Sequence, residues 1–388
     1  MALYRVLVAS LLFHTLGTSI PVDGLSRDLR VVKRTTSDDG TQIDWVALDS
    51  QTPNGKIAGA PPIPKTKSLF ASDEKTLRPK ALLQQDGAEK GPEGTVPIFV
   101  ANNATKEMQR TKNPPVGPEL VSGFGKRAVG DHWYASSAQT VNNHGGQASY
   151  SLFKAYTQAS SDFSLLQVAV ANYDVPNKGM QTVEAGWINY PAQIASPHLF
   201  TFFTTDGYSS NADNTGGWNR DVGGWVQVDT EIFPGTPFGP FSTRGGTQYD
   251  MEIQYWLYEG NWWLFVLDRW IGYYPASLFG AGTTASQSLQ TFSDHIHYYG
   301  EIYDSHAQLT TTDMGSGSFP EAGFGQSAYI RNMFYIDTGD VLQTYDGSAG
   351  TVVSDTNRYR MVADYHSSTN FQSYMFLGGP GAGGVVDG

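Results

Sequence analysis

Hydrophobic and polar residues alternate along many short segments of this chain, and no segment shows helical periodicity over more than two turns. Such alternation predicts β-strands with one buried face. The spacing predicts strands at Gly94–Asn102, Phe163–Val170, Val183–Tyr190, Leu199–Thr204, Trp225–Thr230, Tyr249–Tyr258, Trp262–Leu267, His295–Asp304, Tyr329–Ile336 and Arg358–Tyr365. Because the strands are many, short and separated by Gly-rich turns without a long repeat, we expect an all-β protein with an antiparallel β-sandwich.

The segment His295–Asp304 has one face of unusual composition. In a strand, alternate residues share a face. One face is an ordinary core face. The other is too polar for a core and too aromatic for plain solvent contact, and it carries His295, His297, Tyr299, Glu301 and Tyr303. A sheet face of this kind is typical of the wall of a cleft.

Val183–Tyr190 has a similar character, with Glu184 on the face opposite to Trp187. We therefore expect Trp187 in the core and hypothesise that Glu184 and Glu301 converge as a catalytic carboxyl pair. Two neighbouring carboxyls do not both ionise readily, so one keeps its proton and the pair supplies a base and an acid. The alternative is two hydrogen-bonded structural acids.

Composition narrows the class of protein. Aromatic residues make up 13% of the chain, charged residues only 16%, and there are 43 glycines, which favours β-structure. No cysteine is present, so disulfide and thiolate chemistry are excluded. The chain carries 17 Lys/Arg against 13 Asp/Glu through Arg127, but 8 against 24 from Ala128 onward. This asymmetry predicts two parts with different roles and makes nucleic acid an improbable partner for the acidic part.

The first part has the features of a secreted precursor. Met1–Ser19 places a charge, an apolar run and small residues in the order of a signal peptide, which predicts secretion to the extracellular space; a buried N-terminal helix is the alternative. No later segment is long and apolar enough to span a membrane. Residues 20–127 form a smaller mixed segment, which we interpret as a propeptide, and residues 128–388 form the main domain.

Short motifs in the propeptide support this interpretation. Asn103 begins a glycosylation sequon, and Lys126-Arg127 is a dibasic pair flanked by glycine, which predicts proteolytic processing. Lys33-Arg34 is a second dibasic pair. The mixed segment also predicts an extended stretch at Pro61–Lys67 and a short helix at Thr105–Arg110, and the run Gly378–Gly388 predicts a flexible tail.

Other chemistries fit the sequence less well. The spacing His295-x-His297-x-x-x-Glu301 resembles the first metal motif of the cupins, but Leu289 and Gln308 stand where that motif has glycines, so we predict neither a metal nor a cofactor. The turn Gly315–Ser318 lacks a P-loop lysine. No G-x-S-x-G elbow is present.

Several motifs together resemble the neprosin family of secreted glutamic peptidases. They are EGTVPI at Glu93–Ile98, VEAGW at Val183–Trp187, LFTFFTTDGY at Leu199–Tyr208, WVQ at Trp225–Gln227, GNWWL at Gly260–Leu264, GYYPASLF at Gly272–Phe279, GEI at Gly300–Ile302 and TDMGSGSFPEAGFGQSAYIRN at Thr312–Asn332. The resemblance covers about Trp45 to Asn332. This chain differs from plant members of the family, which carry disulfides, in having no cysteine.

The resemblance implies a zymogen in which a basic-ended propeptide precedes a β-sandwich. It also implies Glu184 and Glu301 as the catalytic pair, with cleavage of protein or peptide substrates after proline at acidic pH. Tyr299, Tyr303, Gln227 and His297 are our candidates for substrate contact. Two other functions stay open from the residues alone: a glycoside hydrolase with two glutamates, and a non-catalytic carbohydrate-binding protein.

Overall fold

The computed structural model describes residues 29–37, 40–64, 76–100, 112, 114 and 130–388. Within these ranges the regular structure is almost entirely β, which confirms the predicted class. The strands are β1 (Val31–Thr36), β2 (Gln42–Ala47), β3 (Thr76–Leu77), β4 (Lys80–Ala81), β5 (Thr95–Phe99), β6 (Asp131–Ser151), β7 (Phe163–Val175), β8 (Gly179–Tyr190), β9 (Ile194–Thr204), β10 (Gly216–Trp218), β11 (Val226–Gln227), β12 (Phe238–Gly239), β13 (Gln248–Tyr258), β14 (Asn261–Val266), β15 (Arg269–Pro275), β16 (Ser293–Asp304), β17 (Ala328–Asp337), β18 (Leu342–Thr344), β19 (Val352–Val353), β20 (Arg360–Asp364) and β21 (Tyr374–Gly378).

The described helices are all single turns of 3₁₀ type. They lie at Leu48–Gln51, Leu82–Gln84, Ala276–Gly280, Ala285–Gln287, Pro320–Ala322, Ser348–Gly350 and Gly381–Gly383. None of the helices in the described part of the chain has the length and apolar character needed to cross a membrane.

One large antiparallel sheet folds into two layers that share β6. The first layer has the order β10-β9-β8-β7-β16 and ends on residues 131–143 of β6. The second layer has β11-β15-β14-β13 on one side of residues 145–151 of β6, and β17-β21-β20 on the other. β6 belongs to both layers. The bend in β6 therefore sets how the two layers are oriented relative to each other.

Glycine permits that bend. Gly145 has φ +131°, and a Cβ there would lie 2.1 Å from the carbonyl oxygen of Tyr255 on the neighbouring strand β13. No side chain fits at that separation, so the strand turns from one layer into the other where it has no side chain.

The core between the layers is aromatic. Trp187 is fully buried there, as its predicted orientation requires, and its indole N–H donates to the carbonyl of Ser151 across the layers at 2.9 Å. The hydroxyl of Tyr255 likewise donates to the backbone carbonyl of Glu184 at 3.1 Å. These cross-layer contacts fix the backbone of β8, the strand that carries Glu184.

Glu259-Gly260-Asn261 between two alternating segments predicts a hairpin turn, and the pairing of β13 with β14 confirms it. Glu259 and Gly260 both have positive φ, 47° and 73°, as a two-residue hairpin turn requires. The strand predicted at Trp225–Thr230 is wrong in its extent. Only Val226–Gln227 forms a strand, because Asp229 turns the chain by accepting from the amides of Glu231 and Ile232.

Burial changes along the run Gly378–Gly388. Residues 378–381 are buried, whereas residues 382–385 are exposed. Gly379 is packed so closely against the carbonyl of Arg358 that a Cβ would lie 1.9 Å from it. Further on, the backbone N–H of Asp387 donates to Asp313, and its carboxylate pairs with Arg244. The first glycines of the run therefore serve close packing, and the flexibility of the tail stays a prediction.

Residues 20–127, the predicted propeptide, are called the leader below. Its described residues form a small sheet of order β1-β2-β5. They also pair with the main domain, since β4 pairs with β12 and β3 pairs with β13. The side chain of Gln51 donates to the backbone carbonyl of Gln227 at 2.7 Å. The helix predicted at Thr105–Arg110 lies outside the described residues, as do the signal segment and Lys65–Lys67 of the extended stretch.

Candidate active site

The two glutamates lie on one face of the first layer. Glu184 on β8 is in register with Ala169 on β7, and Ala169 is in register with His297 on β16. Glu301 on β16 is in register with Tyr134 on β6. Residues in register project to the same face, so three neighbouring strands and β6 supply one surface. This is the face that alternation along β16 predicted.

Hydrogen-bond donors surround Glu184. Its Oε1 accepts from the hydroxyls of Thr182 and Tyr208, each at 2.7 Å. Its Oε2 accepts from the side-chain amide of Gln167 at 3.2 Å and lies 3.4 Å from the hydroxyl of Tyr299. The carboxyl is fully buried, so its orientation is set by these contacts.

Burial raises the pKa of Glu184 to about 7. Hydrogen bonds from Thr182, Tyr208 and Gln167 oppose the shift, while the negative charge of Glu301 adds to it. Glu184 therefore keeps its proton in mildly acidic solution. A carboxyl protonated at the working pH is suited to act as a general acid.

Glu301 is equally buried, with partners of a different kind. Its Oε1 lies 2.5 Å from Nδ1 of His132 and accepts from the backbone N–H of Lys112 at 3.2 Å. Glu184 meets hydroxyls and a side-chain amide, whereas Glu301 meets an imidazole and a backbone N–H. The two glutamates thus have different hydrogen-bond partners.

Two phenols link the glutamates. Burial and the charges of both carboxyls raise the pKa values of Tyr134 and Tyr299 well above the ordinary range. Both phenols therefore stay protonated and able to donate. Their rings meet edge to face with centroids 6.2 Å apart. The hydroxyl of Tyr134 donates to the backbone carbonyl of Lys112, and that of Tyr299 lies beside Glu184.

The leader reaches this site. The carbonyl of Lys112 accepts from the hydroxyl of Tyr134 at 2.9 Å, while its N–H donates to Glu301. Pro114 is buried, and its carbonyl lies 3.5 Å from the hydroxyl of Tyr173. A peptide backbone from this same chain is therefore bound next to one of the two carboxyls.

The other predicted contacts divide into two groups. Tyr299 and His297 lie on this face, and Tyr303 lies at its end, packed on the ring of His132 with centroids 5.2 Å apart. Gln227 lies elsewhere, in the second layer. It is fully buried and donates to the carbonyls of Asp229 and Ile232. The structure does not bring it to the site. Asn103, Lys126 and Arg127 lie outside the described residues.

Five residues that contact the two glutamates or lie between them were missed from the sequence: His132, Tyr134, Gln167, Thr182 and Tyr208. His132 and Tyr134 were missed because β6, rich in Ser, Asn, Gly and Gln, lacks clean alternation. Tyr208 follows β9 in a turn with φ +63°, an uncommon conformation for an aromatic residue, and its contact with Glu184 is made only in three dimensions.

The metal-like spacing on β16 does not assemble a metal site. His297 Nε2 faces the hydroxyl of Tyr173 at 3.2 Å, whereas Glu301 contacts His132. Among the described residues, the group with ligand-like spacing is Asp162, Asp304 and His306. Asp162 already accepts from the hydroxyls of Ser305, Thr310 and Thr312. These contacts tie the end of β16 to its neighbouring loops.

The fold and site define a β-rich hydrolase with a buried pair of carboxyls. The neprosin family model matches residues 160–380, more than half of the chain. The chain belongs to the neprosin family, and it is a peptidase. Among solved structures it is similar to a scytalido-glutamic peptidase bound to a transition-state analog inhibitor, over 65% of this chain and 99% of that one. That likeness has a TM-score of 0.30 and 6% identity, too remote for a comparison of residues.

His297 is expected to set part of the acid sensitivity of the fold. Burial, with a smaller contribution from His295, lowers its pKa to about 3. The unfolded chain binds a proton near pH 6.5 that the folded chain refuses, so the contribution of His297 to the free energy of unfolding falls as pH drops from about 6.5 to 3, by about 1.4 kcal/mol per pH unit. His297→Phe should reduce this slope by about that amount.

Urea unfolding between pH 7 and 4 measures this effect. Buried His198, whose pKa is lowered to about 4, leaves a residual slope in the variant. His366→Phe, at a side chain that is 76% exposed, shows what the same substitution does outside the buried face. An unchanged slope in His297→Phe would show that His297 takes up a proton in the folded state.

Proposed function

We propose that this chain is a secreted, acid-acting glutamic endopeptidase made as a zymogen. The observation that carries the proposal is the buried pair Glu184 and Glu301 with a peptide backbone already bonded beside it. Lys112 donates its N–H to Glu301 and accepts from Tyr134, as a substrate peptide group would. Hydrogen bonds to both the N–H and the carbonyl of a residue are typical of peptide recognition rather than of sugar binding.

In the proposed reaction, ionised Glu301 takes a proton from a water molecule as the water oxygen attacks the scissile carbonyl carbon. Tyr134 and Tyr299 donate to the oxygen on which negative charge develops. Protonated Glu184 then gives its proton to the leaving amide nitrogen, and the C–N bond breaks. Proton exchange with solvent restores Glu301 to the ionised form and Glu184 to the protonated form.

The pH dependence follows from Glu184. Its pKa of about 7 means that the acid form is lost as pH rises through neutrality, so activity falls there. Activity persists toward lower pH until Glu301 is protonated. This supports action at acidic pH, with an optimum at about pH 3–5.

The leader supports latency and a preference for proline. Lys112 and Pro114 occupy the site face, so a substrate cannot bind there while they stay in place. The site also holds a proline of the leader. The carbonyl of Pro114 lies near the hydroxyl of Tyr173, which in turn contacts His297. We therefore propose that the leader inhibits its own enzyme and that the mature protein cleaves after proline.

Digestion of a peptide library at pH 4, read by mass spectrometry, tests the proposed activity. We expect internal cleavage enriched after proline, unchanged by exhaustive chelation, and no release of sugar from polysaccharides. Activity lost on chelation and restored by a divalent metal would contradict the two-glutamate mechanism. Sugar release without peptide cleavage would favour a glycoside hydrolase.

A further inference from the structure

His132 contacts the carboxyl that we propose as the general base. Its Nδ1 lies 2.5 Å from Oε1 of Glu301, within hydrogen-bond distance, and a hydrogen bond from an imidazolium to a carboxylate is charge-assisted. The imidazole side chain is only 9% exposed and that of Glu301 is 0% exposed. At such burial the interaction is poorly screened by solvent.

The orientation of the imidazole is set by aromatic packing. Its ring stacks on Tyr134 with centroids 6.3 Å apart and meets Phe163 and Tyr303 at 6.1 and 5.2 Å. His132 is also in register with Tyr303 on β16, beside Glu301. The strand pairing that places Glu301 therefore also places the imidazole.

An ionised carboxylate in a buried site is costly without a compensating charge. When Lys112 leaves the site, Glu301 loses the backbone N–H that it accepts from the leader. His132 follows the predicted processing site Lys126-Arg127 in the sequence, so it remains in the mature protein. Its contact with Glu301 does not depend on the leader.

We infer that His132 is a positioning residue that donates its Nδ1 proton to Glu301 and holds this carboxyl in the ionised, water-activating form. The inference rests on the proposed function of Glu301 as the general base. The other titratable groups around the pair are Glu184, Tyr134, Tyr208, Tyr299, Tyr303 and Lys112, and Tyr173 lies further along the same face. Burial keeps the phenols of Tyr134, Tyr208, Tyr299 and Tyr303 neutral, so His132 is the titratable group hydrogen-bonded to Glu301 that gains positive charge on protonation.

His132→Asn tests the charge with little change of shape. The asparagine amide nitrogen occupies nearly the position of Nδ1 and can donate, but it carries no charge. An opposite charge within about 4–6 Å favours ionisation of a carboxyl by roughly 1–3 pH units. We therefore expect the acidic limb of the plot of kcat/KM against pH to shift to higher pH by at least about one pH unit. On that limb, kcat/KM at a given pH should be about tenfold lower than in the wild type.

His144→Asn is the matched control. His144 lies on the same strand and also contacts a carboxylate through Nδ1, that of Asp340 at 2.9 Å, but away from the site. The dependence of kcat/KM on pH in His144→Asn should match that of the wild type. If His132→Asn lowers kcat/KM equally at every pH, or leaves the profile unchanged, the positioning role is wrong.

A second measurement does not require activity or a folded His132 variant. In ¹⁵N-labelled Glu184→Gln at pH 5, we expect a downfield ring N–H signal from His132, and its loss in Glu184→Gln/Glu301→Gln. Persistence of that signal without Glu301 would overturn the inference. If the wild-type protein cleaves no peptide but the signal depends on Glu301, the proposed function fails while the pairing stands.

Discussion

Glu184→Gln is expected to lower kcat/KM for peptide hydrolysis by at least about 10³-fold, because general acid catalysis contributes roughly 10²–10⁴-fold and the pair acts as a unit. Glutamine keeps the shape of the neutral acid but has no proton to give. Glu301→Gln should be equally inactive, since an amide does not take a proton from water. The double variant should be little worse than either single variant.

Folding of Glu184→Gln should change little at acidic pH. Between about pH 4.5 and 7 the folded protein holds a proton on Glu184 that the unfolded chain lacks, so the contribution of Glu184 to stability falls as pH rises through this window. Glutamine does not titrate, and the variant should lack this loss. Unfolding free energies at pH 5 and 8, measured beside kcat/KM, separate lost chemistry from lost folding.

Glu321→Gln is the control for the glutamates. Glu321 lies in the 3₁₀ helix Pro320–Ala322, its side chain is 55% exposed, and it pairs with Arg360. Its activity should match the wild type. Turnover at the wild-type rate by folded Glu184→Gln or Glu301→Gln would remove that residue from the proposed mechanism.

A precursor that cannot be cut at Lys126-Arg127 is expected to stay latent. In Lys126→Ala/Arg127→Ala the leader remains attached, so Lys112 and Pro114 compete with substrate at a high effective concentration. We expect kcat/KM to be about 100-fold or more below that of the matured protein at pH 4. The wild-type precursor should mature on acidification and gain a new N-terminus near Ala128.

Ion pairs between the leader and the main domain favour release of the leader as pH falls. Lys90 of the leader pairs with Glu231 of the main domain and lowers its pKa, and Arg78 pairs with Asp268. A carboxyl with a lowered pKa stabilises docking above about pH 4.5 and stops doing so as pH falls through its folded pKa. These ion pairs are partly exposed, so each contributes modestly and the release is gradual.

Lys33→Ala/Arg34→Ala is the matched control for the dibasic pair. These residues lie inside β1, where Lys33 pairs with Glu89 and Arg34 with Asp44. A paired strand is a poor protease substrate, so this variant should mature normally. Incubation from pH 3 to 8, N-terminal sequencing and assay of each sample decide the question. Full activity of the uncut precursor at pH 7 would contradict latency.

The sequence by itself determined the features that depend on local periodicity. Alternation along β16 identified the face that carries Tyr299 and Glu301, and alternation along β8 separated Glu184 from Trp187. The hairpin β13–β14 followed from its turn residues. These predictions were right because side chains alternate strictly along a strand, so spacing alone assigns a residue to a face.

Only the tertiary structure decided what surrounds each glutamate. His132 reaches Glu301 because β6 pairs with β16 across more than a hundred residues of chain, and Tyr208 reaches Glu184 from a turn with positive φ. It also placed Gln227 in the second layer and residues 378–381 in close packing. Strand order and turn geometry bring these groups together or apart, and neither leaves a periodic signal in the sequence. The different environments of Glu184 and Glu301 arise from those non-local contacts, because burial and neighbouring charge set proton affinity.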